Sequence, residues 1–150
     1  MRILFILLFS FQSIFVFGQD STSIKKDDVE IIKEFIQDLA NDDIRVDVIL
    51  SKYVIIENPN EELYDYLEVS LDEIRINLMS KKIEDIQYIP YAKMPRKDVR
   101  DIDLEDFDSS RIYFLYYRNR QVAAIYLEQD KIASFTLVSK GNNKAHFVLY

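Results

Sequence analysis

Four stretches decide the fold: RIYFLYY (111–117), QVAAIYL (121–127), KIASFTLVS (131–139) and HFVLY (146–150). Each is dense in the β-branched and aromatic residues that suit a pleated, half-buried surface. Asn119-Arg120, Gln129-Asp130 and Gly141-Asn142-Asn143 separate them, and gaps this short oblige neighbouring strands to run antiparallel. With two-residue turns at the first two gaps, Tyr113 lies opposite Tyr126 and Tyr126 opposite Ala133. One face then carries Tyr113, Leu115, Tyr117, Val122, Ala124, Tyr126, Phe135 and Leu137. The other carries Ile112, Phe114, Tyr116, Ile125, Leu127 and Ile132. Both faces are apolar, so the sheet has to be covered twice. Helices take one side; a second subunit, in a homodimer through the sheet, or the sheet's own curl takes the other.

Working back from the strands, the period changes near Ile83. Ile86-Gln87-Tyr88 reads as a strand that stops at Pro90, because proline cannot donate to a sheet ladder. Before it the spacing is helical. Asp27-Asp28-Val29-Glu30 has the form of a capping box, and Val29, Ile32, Ile36 and Leu39 recur at steps of three and four over about residues 27 to 40. Asp43 caps a shorter helix with Val46, Ile49, Leu50 and Tyr53 on one face, followed by extended chain at Val54-Ile55-Ile56. Asn58-Pro59 opens the longest helix, which keeps Leu63, Leu67, Leu71, Ile74 and Leu78 inward to about residue 80. Glu61, Glu62, Glu68, Asp72 and Glu73 take its remaining surface. The fold class is therefore α+β, a single domain over residues 19–150 with its helices packed on a curved antiparallel sheet.

At the other end, residues 3 to 17 (ILFILLFSFQSIFVF) are almost wholly apolar behind Arg2, and Gly18 precedes an expected cut before Gln19. This is the form of a secretory signal peptide over residues 1–18. The run is interrupted by Ser10, Gln12 and Ser13 and falls short of the roughly 20 apolar residues a membrane span needs. The expected location is periplasmic or secreted, with no membrane attachment after cleavage.

Composition removes whole classes of chemistry. The 150 residues include no Cys, no Trp, two Gly and one His, and their formal net charge is −7. No thiol means no disulfide framework, no thiolate nucleophile and no cysteine-held metal, and a lone imidazole cannot supply common catalytic zinc centres. Neither GxGxxG nor GxxxxGK[ST] can be written. Loss of Arg2 with the leader leaves 18 basic side chains against 26 acidic, a formal charge of about −8, which repels polyanions. Nucleic acid is not an expected partner. The basic stretches Lys81-Lys82, Arg96-Lys97 with Arg100, and Arg118-Asn119-Arg120 read as solvated surface.

The acidic run DVRDIDLEDFD (98–108) packs six carboxylates into eleven residues, a pattern that hard cations favour. An EF-hand loop starting at Asp101 fails, because its sixth position is Asp106 instead of glycine and its twelfth is Ile112 instead of glutamate. A solvated acidic loop, tacked to the core by Ile102, Leu104 and Phe107, is the preferred reading over a non-EF calcium site at Asp101, Asp103 and Asp106. No metal or cofactor is expected.

The order of helices, a strand, and an antiparallel meander ending on a strand at the last residue resembles the nuclear-transport-factor-like (SnoaL-like) α+β cone superfamily. The resemblance implies a cystatin-like curved sheet wrapped around a long helix, a cavity inside the cone, and dimerisation through the outer sheet face. Its members include enzymes and non-catalytic domains alike. Enzymes of this shape set an acid or a histidine on the inner sheet wall, and the four terminal strands offer no interior Asp or Glu. A base would have to be Asp65, Glu68, Asp72, Glu73 or His146. A serine triad would also need His146 and lacks a GxSxG elbow. The expectation is therefore an exported non-catalytic domain that binds a small apolar ligand or a protein partner, with Tyr113, Tyr117 and Tyr126 as ligand-binding residues. The alternatives are a small cone-type enzyme using a helix carboxylate or His146, and an acidic inhibitor or immunity-type protein.

Overall fold

The computed structural model describes residues 27–150; the expected signal peptide lies outside the described residues. Three helices come first: α1 (Asp28–Leu39), α2 (Val46–Tyr53) and α3 (Glu61–Met79). Each start follows from local chemistry. The Asp27 carboxylate accepts the Val29 amide at the head of α1, and the Asn60 side chain accepts the Leu63 amide at 2.8 Å at the head of α3. Asn60 therefore displaces Pro59 from the expected first helical position, since an asparagine cap satisfies an orphan amide that proline's fixed φ does not. Asp43 likewise does not cap α2. Its amide is taken by Asn41 Oδ1 in a short turn, and the helix begins three residues later with Arg45 at the N-cap.

After the helices come β1 (Gln87–Pro90), a crossover containing the single helical turn α4 (Arg96–Val99), and five more strands. These are β2 (Ile112–Tyr117), β3 (Arg120–Glu128), β4 (Lys131–Ser134), β5 (Leu137–Gly141) and β6 (Lys144–Phe147). The first four form one antiparallel curved sheet in the order β1-β2-β3-β4, and β5 with β6 forms a separate hairpin. The stretch 131–139 is thus two strands. It breaks at Phe135-Thr136, where Ser134 Oγ accepts the Thr136 amide and donates to the Thr136 carbonyl, turning the chain out of the sheet. Residues 148–150 lie beyond β6. Tyr150 is buried, its hydroxyl accepting the Phe135 amide at 3.1 Å and bonding Thr136 Oγ1.

The strand register differs from expectation by one residue. The β2–β3 turn falls at Arg118-Asn119, both at positive φ, and a bulge at Leu115/Tyr116 then shifts the ladder so that Ile112 faces Tyr126 and Tyr113 faces Ile125. A second bulge puts Tyr126 opposite Ser134 instead of Ala133. Because side chains alternate, a slip of one exchanges the faces of β3. Ile125 and Leu127 join Tyr113, Leu115 and Ile132 on the inner face; Ala124 and Tyr126 join Ile112 and Phe114 on the outer.

Both faces are apolar and both are covered by the chain itself. On the inner side α1 is the central helix. Ile32, Phe35, Ile36 and Leu39 are wholly buried, and Phe35 meets Tyr53 edge-on at 5.7 Å and Phe135 stacked at 6.5 Å. The longer α3 buries only Leu67, Leu71 and Leu78. On the outer side Met94, Val99, Ile102, Leu104 and Phe107 of the crossover, with Leu137 and Phe147 of the hairpin, close over Phe114, Ala124 and Tyr126. The irregular stretch 90–110 is therefore the second cover, in the place expected for a second subunit or the sheet's own curl. The free edge of β4 is also taken: the Ile55 amide donates to the Ile132 carbonyl at 2.8 Å.

One polar tie locks the helices together. Arg75 reaches from α3 to donate to the Leu39 carbonyl at 2.9 Å and the Ile44 carbonyl at 2.6 Å, supplying the positive charge that the last turn of α1 lacks. Arg75→Ala is expected to cost about 1–3 kcal/mol, and lysine to restore only part of it, because an ammonium lacks the fork that spans two carbonyls. Ile76→Ala, on the exposed side, should change stability by less than about 0.5 kcal/mol. Urea unfolding of the three variants checks both statements.

Candidate functional site

The three tyrosines singled out from the sequence do not share a pocket. Tyr113 is buried on the inner face near Asp28, whose carboxylate stands 3.1 Å from the Arg111 guanidinium. Burial, reinforced by the negative charges of Asp28 and Asp27, raises its pKa. Tyr126 is on the opposite face in a ring cluster, 4.8 Å from Phe107 and 6.3 Å from Phe147, and donates to Glu128 Oε1 at 3.0 Å. Burial, then that bond, raises its pKa too. Tyr117, half-buried at the end of β2, lines an open recess with Ser80, Lys81, Arg118 and Arg120. The register slip is what parts Tyr126 from the other two.

A larger groove, of about 530 Å³, lies between α1 and β1 and is lined by Lys33, Gln37, Ile83, Glu84, Ile86 and Tyr88. The Lys33 ammonium sits 5.7 Å from the centre of the Tyr88 ring. Burial pushes the Tyr88 hydroxyl up to about 12, because the surrounding apolar wall penalises the phenolate. A groove of this make-up can hold an apolar body between Ile83 and Ile86 with polar groups at its rim.

The alternative catalytic groups do not converge. Asp65, Asp72 and Glu73 are exposed on α3, Glu68 is half-buried beside them, and His146 is on β6 in a groove with Glu105, Asp106, Phe107 and Leu149. The acidic run 98–108 is a pinned strap. Asp103 donates its amide to the Ala145 carbonyl at 2.7 Å and Ala145 returns one to the Asp101 carbonyl at 2.9 Å, while Lys140 reaches Glu105 at 2.7 Å and Asp103 at 3.4 Å. The Glu105 amide, then Lys140, hold the Asp103 carboxyl below its ordinary range. Among the described residues no group of three or more His, Cys, Asp or Glu is placed to hold a metal ion.

The feature that sequence reading missed is the outward side of α3. Tyr66, Val69, Ile76 and Met79 are 48%, 61%, 67% and 67% exposed. They are set among the carboxylates of Glu62, Asp65, Asp72 and Glu73. The signal was present as spacing, since 66, 69 and 76 fall on the side of the helix opposite 67, 71 and 78. Arg75, the single cation of α3, is turned inward to α1, meets Asp72 at 3.7 Å, and leaves the rest of the outward surface to the acids.

Comparison with protein-family models, with curated proteins and with solved structures finds no match to this chain. Among the described residues no helix is long and apolar enough to cross a membrane.

The Tyr88 hydroxyl gives the groove a testable signature. An acid whose folded pKa is raised contributes stability that is intact below its ordinary value near 10 and is lost as pH climbs toward 12. Tyr88→Phe should remove that part of the alkaline loss, seen as a smaller drop in urea-unfolding free energy between pH 9 and about pH 11.5 than in the parent chain.

Proposed function

We propose that the chain is an exported, non-catalytic binding domain of the cone-like α+β kind, and that it engages a basic protein or peptide through the outward side of α3. The observation that carries the reading is the set of exposed apolar side chains Tyr66, Val69, Ile76 and Met79 interleaved with carboxylates along α3. Large exposed apolar side chains are surface that a partner can bury, and the like charges set between them select the partner's sign. A second copy of the chain does not fit that surface, since it would bring the same carboxylates against themselves. A small apolar ligand is served better by a recess than by a convex helix, so the protein-partner half of the expectation is favoured over the small-ligand half. This also joins it to the acidic-inhibitor alternative, in which carboxylates meet a basic enzyme. Recognition is favoured over turnover by the outward placement of Asp65, Asp72 and Glu73, which stand in water and away from any enclosed chamber. Helices laid on one face of a curved sheet support the cone-like description; the separate β5–β6 hairpin departs from a single continuous meander.

A synthetic amphipathic Lys/Leu peptide is a suitable probe, titrated by fluorescence anisotropy. Binding should weaken about tenfold or more between low and physiological salt, because the attraction is screened over about 8–10 Å. Val69→Ser with Ile76→Ser should weaken it by about another tenfold while leaving the fold intact. An affinity that ignores both salt and the two substitutions would overturn the proposal.

A further inference from the structure

Lys81 and the Arg118-Asn119-Arg120 turn are far apart in sequence, yet the fold brings them to one place. The end of α3 meets the β2–β3 turn there, and Ser80, Lys81, Tyr117, Arg118 and Arg120 line a recess of about 260 Å³. Tyr117 is its organiser. The Arg118 guanidinium lies 5.2 Å from the ring centre and the Lys81 ammonium 6.0 Å, within the range at which a ring face attracts a cation.

The charge balance of this recess is the reverse of that of the chain. No carboxylate lines it. Among the described residues Arg45, Lys52, Arg75, Arg100, Arg111 and Lys140 form ion pairs; Lys81, Arg118 and Arg120 are among the cations that form none, and they are the ones gathered around a single ring. In a chain with 26 acidic side chains, what sets these three apart is that they converge on one recess with no carboxylate on its lining. Lys81 is explained in part by the helix, because it donates to the Asn77 carbonyl where the α3 dipole is negative. Arg118 and Arg120 have no such duty. Their guanidinium forks match the oxygens of a phosphoryl group, which two arginines and a lysine bind by charge-assisted hydrogen bonds.

We infer that this recess binds the phosphoryl group of a small phosphate ester, with Arg118, Arg120 and Lys81 as its donors and Tyr117 holding two of them in place. The net charge of the chain repels anions in general, so any phosphate that binds does so through this local cluster. The recess is too small for an extended polyanion, which separates it from nucleic-acid binding.

The test titrates inorganic phosphate and glycerol phosphate into the full exported chain, following backbone amides by NMR, beside a flotation assay with phosphatidylcholine vesicles containing phosphatidic acid. The expected result is saturable shifts confined to residues near 80–82 and 117–121, weakened at least tenfold by Arg118→Gln with Arg120→Gln. Tyr117→Leu keeps the apolar bulk but not the ring's charge distribution, and should weaken binding less than the double arginine change. Response to the soluble phosphates identifies a soluble ester as the ligand, and response to the vesicles alone identifies a lipid headgroup. No response to any of the three probes, or binding unchanged in the well-folded double variant, would overturn the assignment.

Discussion

A sheet that is apolar on both faces cannot stand in water, and the rest of this molecule is the answer to that constraint. The inner cover is conventional: α1 seats Ile32, Phe35, Ile36 and Leu39 against β2, β3 and β4, and α2 and α3 close the flank. The outer cover has little regular structure of its own. The crossover between β1 and β2 and the β5–β6 hairpin lay Val99, Ile102, Phe107 and Phe147 over Phe114 and Tyr126. With no cysteine in the chain, nothing covalent helps, and the two layers hold by burial and by a few polar ties such as Arg75 to the end of α1.

Much of this architecture was legible in the residues. The α1 stripe, the end of α2 at Tyr53, the long α3, the arrest of β1 at Pro90 and the antiparallel order of the strands all follow from periodicity and turn chemistry. What was not legible was the register. The turn at Arg118-Asn119 sits one residue earlier than expected, because asparagine accepts positive φ readily and its neighbour follows it into the paired left-handed conformation. Bulges then absorb the remainder, and no local residue pattern announces them. The cost fell on the candidate site: Tyr113 and Tyr126, aligned on one face in the expected register, belong to different cores. Ile102, Leu104 and Phe107 were read correctly as anchors of the acidic strap, but that they roof the sheet depends on long-range packing.

The charge of the chain is segregated. α3 turns its cation inward and its acids outward, and the end of the same helix runs into an unpaired basic cluster around Tyr117. A chain with a formal net charge of −7 thus offers two surfaces of opposite preference, one broad and acidic, one small and basic. Neither lies on the inner wall of the sheet, where a cone-shaped enzyme would set its chemistry. That wall is filled by side chains of α1.

The outer layer has a consequence for how the molecule breathes. It is joined to itself by two amide-to-carbonyl links between Ala145 and residues 101–103 and by Lys140, and to the sheet chiefly by side-chain packing around Tyr126, whose hydroxyl also bonds the Asp108 backbone. Such a layer is a natural unit of partial opening, and its amides should exchange with solvent well before those of α1. Each excursion would bare Phe114, Ala124 and Tyr126 together, giving a concentrated solution of this chain an apolar surface through which to clump without global unfolding.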